Sequence, residues 1–308
     1  MDTEPKQTYG EPSQMKFATL RSHPDQPTCV ALVDEHTQRY WPLSDLIPDF
    51  TGDMNQLVQE WGRLKQKIVP QGDGQPLDQA RVEAPIHPQR NMFCVGKNYF
   101  EHAAEFSNSG FDSSTSADDV VPKHPIIFTK AYTTLIADGD EIPRHAAVTE
   151  QLDYEAEFAI IIGKGGRGIR KDQAFDHVWG YTVANDVTAR DLQKKHKQWH
   201  LAKSLDGLCP MGPWITTADE IDPSNAGIKC WVNGELRQDS NIGQLIFDIP
   251  TLIETISAGI ELKPGDVIIT GTPVGVGIGF NPPKFLQTGD VVRVEVEGMG
   301  AIENRVGQ

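Results

Sequence analysis

The run LDYEAEFAIIIG, residues 152–163, constrains this chain more than any other stretch. Side chains on a strand alternate between faces, so Glu155 and Glu157 share one face while Tyr154, Ala156 and Phe158 take the other. Beyond Glu157 the run is thoroughly apolar, which sets the two carboxylates apart from a solvated charge run. Two neighbouring carboxylates in a partly buried place need protons, basic partners or a cation. Asp186, in TVANDVTARDLQ, is the third acidic candidate. An oxygen-only Glu/Glu/Asp set suits Mg2+ or Mn2+ better than a soft metal. The same acids can instead cap turns or pair with bases, and spacing alone leaves both readings open.

Other segments read as strands too. FCVGKN, IIFTK, HVWGYTVANDVT, GIKCWVNGELRQ, DVIITGTP and DVVRVEVEGMG are short runs bounded by Gly, Asn, Asp or Pro. WVNGEL carries an Asn-Gly pair between alternating residues, a strong hairpin signal. The stretch NIGQLIFDIPTLIETISAG predicts a helix, with Ile249, Leu252, Ile253 and Ile256 as its apolar side and Gly259 as its stop. Nearer the start, MKFATLRS and PTCVALVDE predict a hairpin or small sheet. MNQLVQEWGRLKQKI then predicts one amphipathic helix, with Leu57, Trp61, Leu64 and Ile68 on one side. The Gly/Pro-rich link PQGDGQPLDQ and the proline-broken EAPIHPQR follow, which puts a boundary near residue 85. The expected organisation is a small N-terminal α+β domain, 1–85, and a larger domain, 86–308. Many short strands with few long helices predict a mixed, β-rich α+β fold and argue against regular βαβ alternation.

Composition narrows the partners. With 43 Asp+Glu against 28 Lys+Arg, the formal net charge of −15 repels nucleic acid and anionic membrane surfaces. The longest apolar stretches are far short of a membrane span, and the first residues lack the basic start and apolar core of a secretory signal. A soluble, cytoplasmic protein is expected. Cys29, Cys94, Cys209 and Cys230 form no CxxC pair, so neither a disulfide scaffold nor a Cys-rich zinc site is predicted.

A second constellation lies in NYFEHAAEF. On a short helix the i, i+3 spacing of His102 and Glu105 permits contact, so that Glu105 orients the imidazole as a general base. A solvated surface pair is the plain alternative. The polar, acidic segment 107–122 that follows reads as a surface loop or, more sharply, as a lid. His196 and His200 in HKQWH have zincin-like spacing but lack the glutamate, and a solvated or partner-facing surface is the better reading.

Taken in order, GKNYFEHAAEF, PIIFTK, LDYEAEFAIIIG, GYTVANDVTARDLQ, LAKSLDGLCPMGPW, ITGTPVGVG and PPKFLQTGDVVRVEVEGMGAIENRV resemble the fumarylacetoacetate hydrolase family over residues 90–306. The resemblance implies a catalytic domain built on a rolled mixed β-sheet, and a homodimer formed through it. It implies Glu155, Glu157 and Asp186 as ligands of Mg2+ or Mn2+, and His102 with Glu105 as a lid dyad. Lys203 resembles an active-site lysine close to metal and substrate. Arg190 and Gln193 resemble substrate contacts, and Thr272 a contact to the substrate's carboxylate end.

The implied substrate is a small anionic 2-oxo acid. Our expectation is hydrolysis of a C–C bond in an acylpyruvate-like 2,4-diketo acid: His102 activates water, and cleavage leaves a metal-stabilised pyruvate enolate. The same enolate chemistry also serves an oxaloacetate-type decarboxylase or a 2-oxo acid tautomerase or isomerase. A noncatalytic metabolite-binding scaffold is the alternative of a different class.

Overall fold

A computed structural model describes residues 15–111 and 120–308. Residues 112–119, the middle of the segment read as a lid, lie outside the described residues. The fold is mixed α+β, dominated by one large mixed sheet. Its strands are β1 (Lys16–Arg21), β2 (Cys29–Asp34), β3 (Arg39–Pro42), β4 (Met92–Gly96), β5 (Ile126–Lys130), β6 (Ala156–Ile162), β7 (Val178–Asn185) and β8 (Cys209–Thr217), together with a later strand, Val267–Ile269. Their order across the sheet is β3-β2-β1-β8-β7-β6, then Val267–Ile269, β4 and β5.

A second sheet of five strands contains β9 (Gly227–Val232) and β10 (Glu235–Asn241). The strand Val267–Ile269, β11 in chain order, belongs to the first sheet, whereas β12 (Val291–Val296) and β13 (Gly300–Val306) complete the second with Glu141–Ile142. Asn233 and Gly234 both adopt positive φ, 51° and 78°, at the β9–β10 turn, as the Asn-Gly signal predicts.

The alternation of β6 organises the packing. Phe158, Ile160 and Ile162 face a core shared with Ile228, Val294 and the helix Ile249–Ser257. Ala159 and Ile161 face a second core on the other side, shared with Phe17, Leu32, Leu57 and Ile215. The predicted helix at 249–257 is capped by Asp248, whose side chain accepts from the Thr251 amide, and it buries Ile249, Leu252, Ile253 and Ile256. Residues 242–244 ahead of it form only a single 3-10 turn, so the helix begins later than its apolar run suggests.

The N-terminal helix is also shorter than predicted. It divides into α1 (Met54–Gln59), α2 (Trp61–Leu64) and a 3-10 turn at Lys65–Lys67. Glu60 leaves helical geometry (φ −99°, ψ 11°), and Gly62 offers little helix propensity to carry the pattern through. Leu57, Leu64 and Ile68 are buried nonetheless, so the apolar side persists across the break.

The N-terminal strands are hydrogen-bonded into the same sheet as the rest, with Lys16 opposite Thr216 and Phe17 opposite Ile215. Phe17, Trp61 and Trp179 form an aromatic cluster across that junction, with ring centroids 5.5–5.8 Å apart. Among the described residues no helix is long and apolar enough to cross a membrane. All four cysteines are free, with Cys94, Cys209 and Cys230 buried.

Because Phe17 seals this junction, Phe17→Ala should cost about 3–5 kcal/mol in denaturant unfolding. Continuity of the sheet predicts that far-UV and near-UV signals still melt together. A separate early transition, with only the N-terminal strands lost, would count against that continuity.

Candidate active site

Strand direction gathers the candidate residues at one end of the large sheet. Strand β6 runs antiparallel to both β7 and β11, while β11 runs parallel to β4. The start of β6 therefore lies beside the ends of β7, β11 and β4. Glu155 and Glu157 stand at the start of β6, Asp186 just past β7, Thr272 just past β11 and Lys97 just past β4. The Asp186 amide donates to the Glu155 carbonyl at 2.9 Å, which carries the β6–β7 pairing to the acids themselves.

Oxygen atoms of Glu155, Glu157 and Asp186 lie within 4.8 Å of one another, and all three residues are buried. Basic side chains from neighbouring elements close around them. Lys203, on the short helix α4 (His200–Lys203) that follows α3 (Arg190–His196), donates to Glu155 Oε2 at 2.6 Å and to Asp186 Oδ2 at 2.8 Å. Arg190 reaches Glu155 Oε1 through Nη2 at 2.7 Å, Asp153 Oδ2 through Nε at 2.9 Å and Gln193 Oε1 through Nη1 at 3.1 Å. Lys130, fully buried at the end of β5, sits 2.7 Å from Asp186 Oδ1 and donates to the Val187 carbonyl at 3.0 Å.

These contacts split the two glutamates. Burial opposes the charge of Glu155, but Lys203 and Arg190 more than offset it and hold the carboxyl down to about 2. Glu157 is pushed well above the usual carboxylate range by burial and by the charges of Asp186 and Glu155. Its one backbone donor is Gly271, whose amide lies 2.5 Å from Glu157 Oε2. Gly271 has φ +104°, and a Cβ there would press on Asn98 and the Val95 carbonyl, so glycine is required for that approach. Burial also opposes the charges of Lys203 and Arg190, yet their carboxylate partners raise both above their ordinary values.

The donor set suits a hard divalent cation, being three carboxylates with no sulfur or imidazole. The state of Glu157 supports the same fit, since a buried carboxyl crowded by two others needs a proton or a cation. The site residues also line one small pocket of about 20 Å³: Glu155, Glu157, His102, Arg190, Gln193, Lys203 and Thr272, with walls from Val95, Lys97, Phe106, Phe128 and Trp199.

His102 and Glu105 lie on the helix Phe100–Asn108, and their predicted contact forms: Nδ1 is 3.1 Å from Glu105 Oε2. Both side chains are largely buried, unlike the solvated pair of the plain alternative. Thr272 Oγ1 accepts from Gln238 Nε2 at 2.8 Å. His196 and His200 are exposed and fall on separate helices, because Lys197 breaks the run with φ 61°.

Sequence reasoning missed Asp153 and Lys130. Asp153 is fully buried and accepts from Arg190, from the Gly277 amide at 2.6 Å and from the Ile278 amide at 3.1 Å. A signal for it existed, since Asp153, Glu155 and Glu157 fall at alternate positions of one run. The burial of Lys130 depends on pairing between distant segments, and its strand gives no local sign of it.

The fold and pocket define a class: a mixed-sheet protein with a buried acidic cluster framed by lysine and arginine. The sequence model described as Fumarylacetoacetate (FAA) hydrolase C-terminal matches residues 91–307, and the chain belongs to this family. It is 48% identical over 233 residues to oxaloacetate tautomerase YisK of Bacillus subtilis (strain 168), covering 75% of this chain and 74% of that one. Its structure is similar to a fumarylacetoacetate hydrolase (EaFAH) from Exiguobacterium antarcticum, with a TM-score of 0.80 and 38% identity over 95% and 99% of the two chains. It is also similar to a 5-carboxymethyl-2-hydroxymuconate delta-isomerase from Mycobacterium smegmatis, with a TM-score of 0.72 and 33% identity over 95% and 98%.

Two outcomes follow from the electrostatics. In metal-free protein the folded state holds a proton on Glu157 above pH 4.5, where the unfolded chain has lost it. That contribution to stability therefore declines as pH rises through the window above 4.5, and a bound divalent cation displaces the proton. Stabilisation by Mg2+ or Mn2+ should accordingly grow with pH, and calorimetry in buffers of different ionisation enthalpy should find about one proton released. Binding without proton release, at an affinity insensitive to pH, would refute this assignment. Separately, Asp153→Asn removes one of the two buried carboxylate partners of Arg190, leaving Glu155, and should cost about 1.5–3 kcal/mol in urea unfolding.

Proposed function

We propose that this protein catalyses the divalent-metal-dependent enolisation of a small 2-oxo dicarboxylic acid, as keto–enol tautomerisation of an oxaloacetate-like substrate. The similarity to a protein named oxaloacetate tautomerase carries this reading over the hydrolysis first expected. The geometry is compatible with it, because enolisation needs a positioned base and an anion-binding wall but no attacking water.

A divalent cation held by Glu155, Glu157 and Asp186 supplies Lewis-acid polarisation of the 2-oxo group. Arg190 has five N–H donors and makes two hydrogen bonds, to Asp153 and Gln193, beside its ion pair with Glu155, while Lys203 has three donors and uses two. The donors left over on Arg190 and Lys203 are available to orient a ligand's carboxylate and oxo oxygens. Gln193 and Thr272 add neutral contacts from the same wall. His102 keeps its proton on Nδ1, towards Glu105, so Nε2 is the atom that takes the C3 proton and returns it.

The His102–Glu105 pair favours one second reading. The same base can activate water for cleavage of a 2,4-diketo acid, the reaction expected from the sequence. Loss of carbon dioxide from a β-keto acid is a third outcome of the same enolate chemistry.

Purified protein with Mg2+ or Mn2+ should speed the approach of enol-oxaloacetate to keto–enol equilibrium in the ultraviolet, with substrate mass unchanged. His102→Asn should lower that rate about 10²–10⁴-fold while divalent-ion binding persists. Glu155→Ala should abolish both. Conversion of an acylpyruvate into two acids, with no effect on the enol, would replace tautomerisation by hydrolysis.

A further inference from the structure

Each of the three clustered carboxylates has one oxygen fixed by a group of the protein itself. Arg190 Nη2 lies 2.7 Å from Glu155 Oε1, Lys130 Nζ lies 2.7 Å from Asp186 Oδ1, and the Gly271 amide donates to Glu157 Oε2 at 2.5 Å. The opposite oxygens of Glu155 and Asp186 converge, since Oε2 of the one and Oδ2 of the other both meet the Lys203 ammonium, at 2.6 and 2.8 Å. A carboxylate anchored in this way offers a cation one oxygen and is held from closing on it with both. Three such groups suit a small ion that takes single oxygens in octahedral geometry, as Mg2+ and Mn2+ do. They suit Ca2+ poorly, because it gathers more oxygens and often takes both of one carboxylate.

Of these anchors, Lys130 is the one that the chemistry of the pocket does not already employ. Arg190 and Lys203 line the pocket, whereas Lys130 is fully buried outside its lining. A buried ammonium is costly to desolvate, and an apolar side chain of similar size fills such a place at least as well, so stability is weak ground for the ion pair. Its neighbours hold Lys130 on Asp186. Nζ also donates to the Val187 carbonyl at 3.0 Å, which fastens it to the backbone next to Asp186. The Ala131 amide donates to Ser204 Oγ at 3.0 Å, which ties the end of β5 to the residue after Lys203. The two lysines on the two oxygens of Asp186 are therefore set relative to each other by one short path through Ala131 and Ser204.

We propose that Lys130 is a positioning residue that sets the cation preference of the site. By occupying Oδ1 it confines Asp186 to a single oxygen for the cation, and so favours Mg2+ and Mn2+ over Ca2+. The inference rests on the metal-binding part of the proposed function and is independent of the reaction that follows. Lys130 touches neither cation nor substrate and acts only through Asp186. A neutral side chain in its place frees Oδ1. Loss of the charge strengthens the binding of every divalent ion, whereas the freed oxygen adds a ligand that Ca2+ uses and Mg2+ does not. The ratio of the two affinities therefore separates the positioning role of Lys130 from its charge.

The test titrates the full chain with Mg2+, Mn2+ and Ca2+ by calorimetry, as wild type, Lys130→Met and Lys130→Arg. Lys130→Met should shift the ratio of Ca2+ to Mg2+ affinity towards Ca2+ by about tenfold. Lys130→Arg, which keeps a cation beside Oδ1, should hold the ratio near its wild-type value. In wild type labelled with 13C-aspartate, infrared difference spectra with Mg2+ should show, in the bands lost from Asp186→Asn, the wide splitting of carboxylate stretches that one-oxygen coordination gives. An equal gain for all three ions in Lys130→Met would reduce Lys130 to a charge and overturn the assignment, as would the narrow splitting of two-oxygen coordination in wild type. Wild type that binds no divalent ion would sink the metal reading and this assignment with it, whereas binding with an unchanged ratio sinks this assignment alone. A Lys130→Met that fails to fold would be evident from its thermal transition, and the wild-type spectra then decide.

Discussion

Everything at this site depends on holding four carboxylates inside a dry sheet. Asp153, Glu155, Glu157 and Asp186 are all buried, and isolated charges there are prohibitively costly. Lys130, Arg190 and Lys203 supply the compensation from three separate elements, each through contacts of 3 Å or less. Lys203 and Arg190 pull Glu155 down, whereas burial and the charges of Asp186 and Glu155 push Glu157 up, and burial raises Asp153 as well. The cluster is thus poised between holding a proton and holding a cation. A divalent ion held there would add positive charge locally, which would let a chain of net charge −15 receive an anion.

The same economy of parts joins His102 to Arg190. Glu105 spends one oxygen on His102 and the other on the Gly275 amide, at 3.0 Å. Asp153 spends its oxygens on Arg190 and on the Gly277 and Ile278 amides. One short stretch of backbone, 275–278, is therefore clamped by the residue that orients His102 and by the residue that orients Arg190. Gly277 is required within it, since a Cβ there would strike Asp153 and the Lys284 carbonyl. Displacing this stretch disturbs the base and the arginine together.

What was legible in the sequence was local. The alternation of β6 identified Glu155 and Glu157 as a pair sharing a face, because strand periodicity alone dictates it. The Asn233–Gly234 turn and the apolar side of the helix 249–257 were legible for the same reason. The approach of Asp186, Arg190 and Lys203 to that pair was expected from family resemblance, whereas their spacing left it open. Lys130 and Gln238 were illegible, since their burial arises from strand pairing between distant segments. The break at Glu60 was hidden by an apolar pattern that continues across it, and the joining of β1 to β8 by the distance between them in the chain.

Whether such a site enolises or hydrolyses turns on what stands beside His102. The same cluster of acids and bases favours an enolate in either case, so it cannot by itself select the outcome. Hydrolysis requires a water within reach of the base and a carbonyl beyond C3 for it to attack. Enolisation requires that the C3 proton itself be within reach. His102 is 5% exposed, and the pocket it lines sets an apolar wall, from Val95, Phe106, Phe128 and Trp199, against the polar side chains of Glu155, Glu157, Arg190, Gln193, Lys203 and Thr272. Phe106 and Phe128 pack edge-on against Trp199, with centroids 6.0 and 5.2 Å away, and a Cβ on Gly96 would collide with the same indole. A water held for attack needs two or more polar partners, and the aromatic wall leaves them to the opposite, polar side of the pocket. The choice between enolisation and cleavage therefore lies in which substrate atoms the charged side brings to His102.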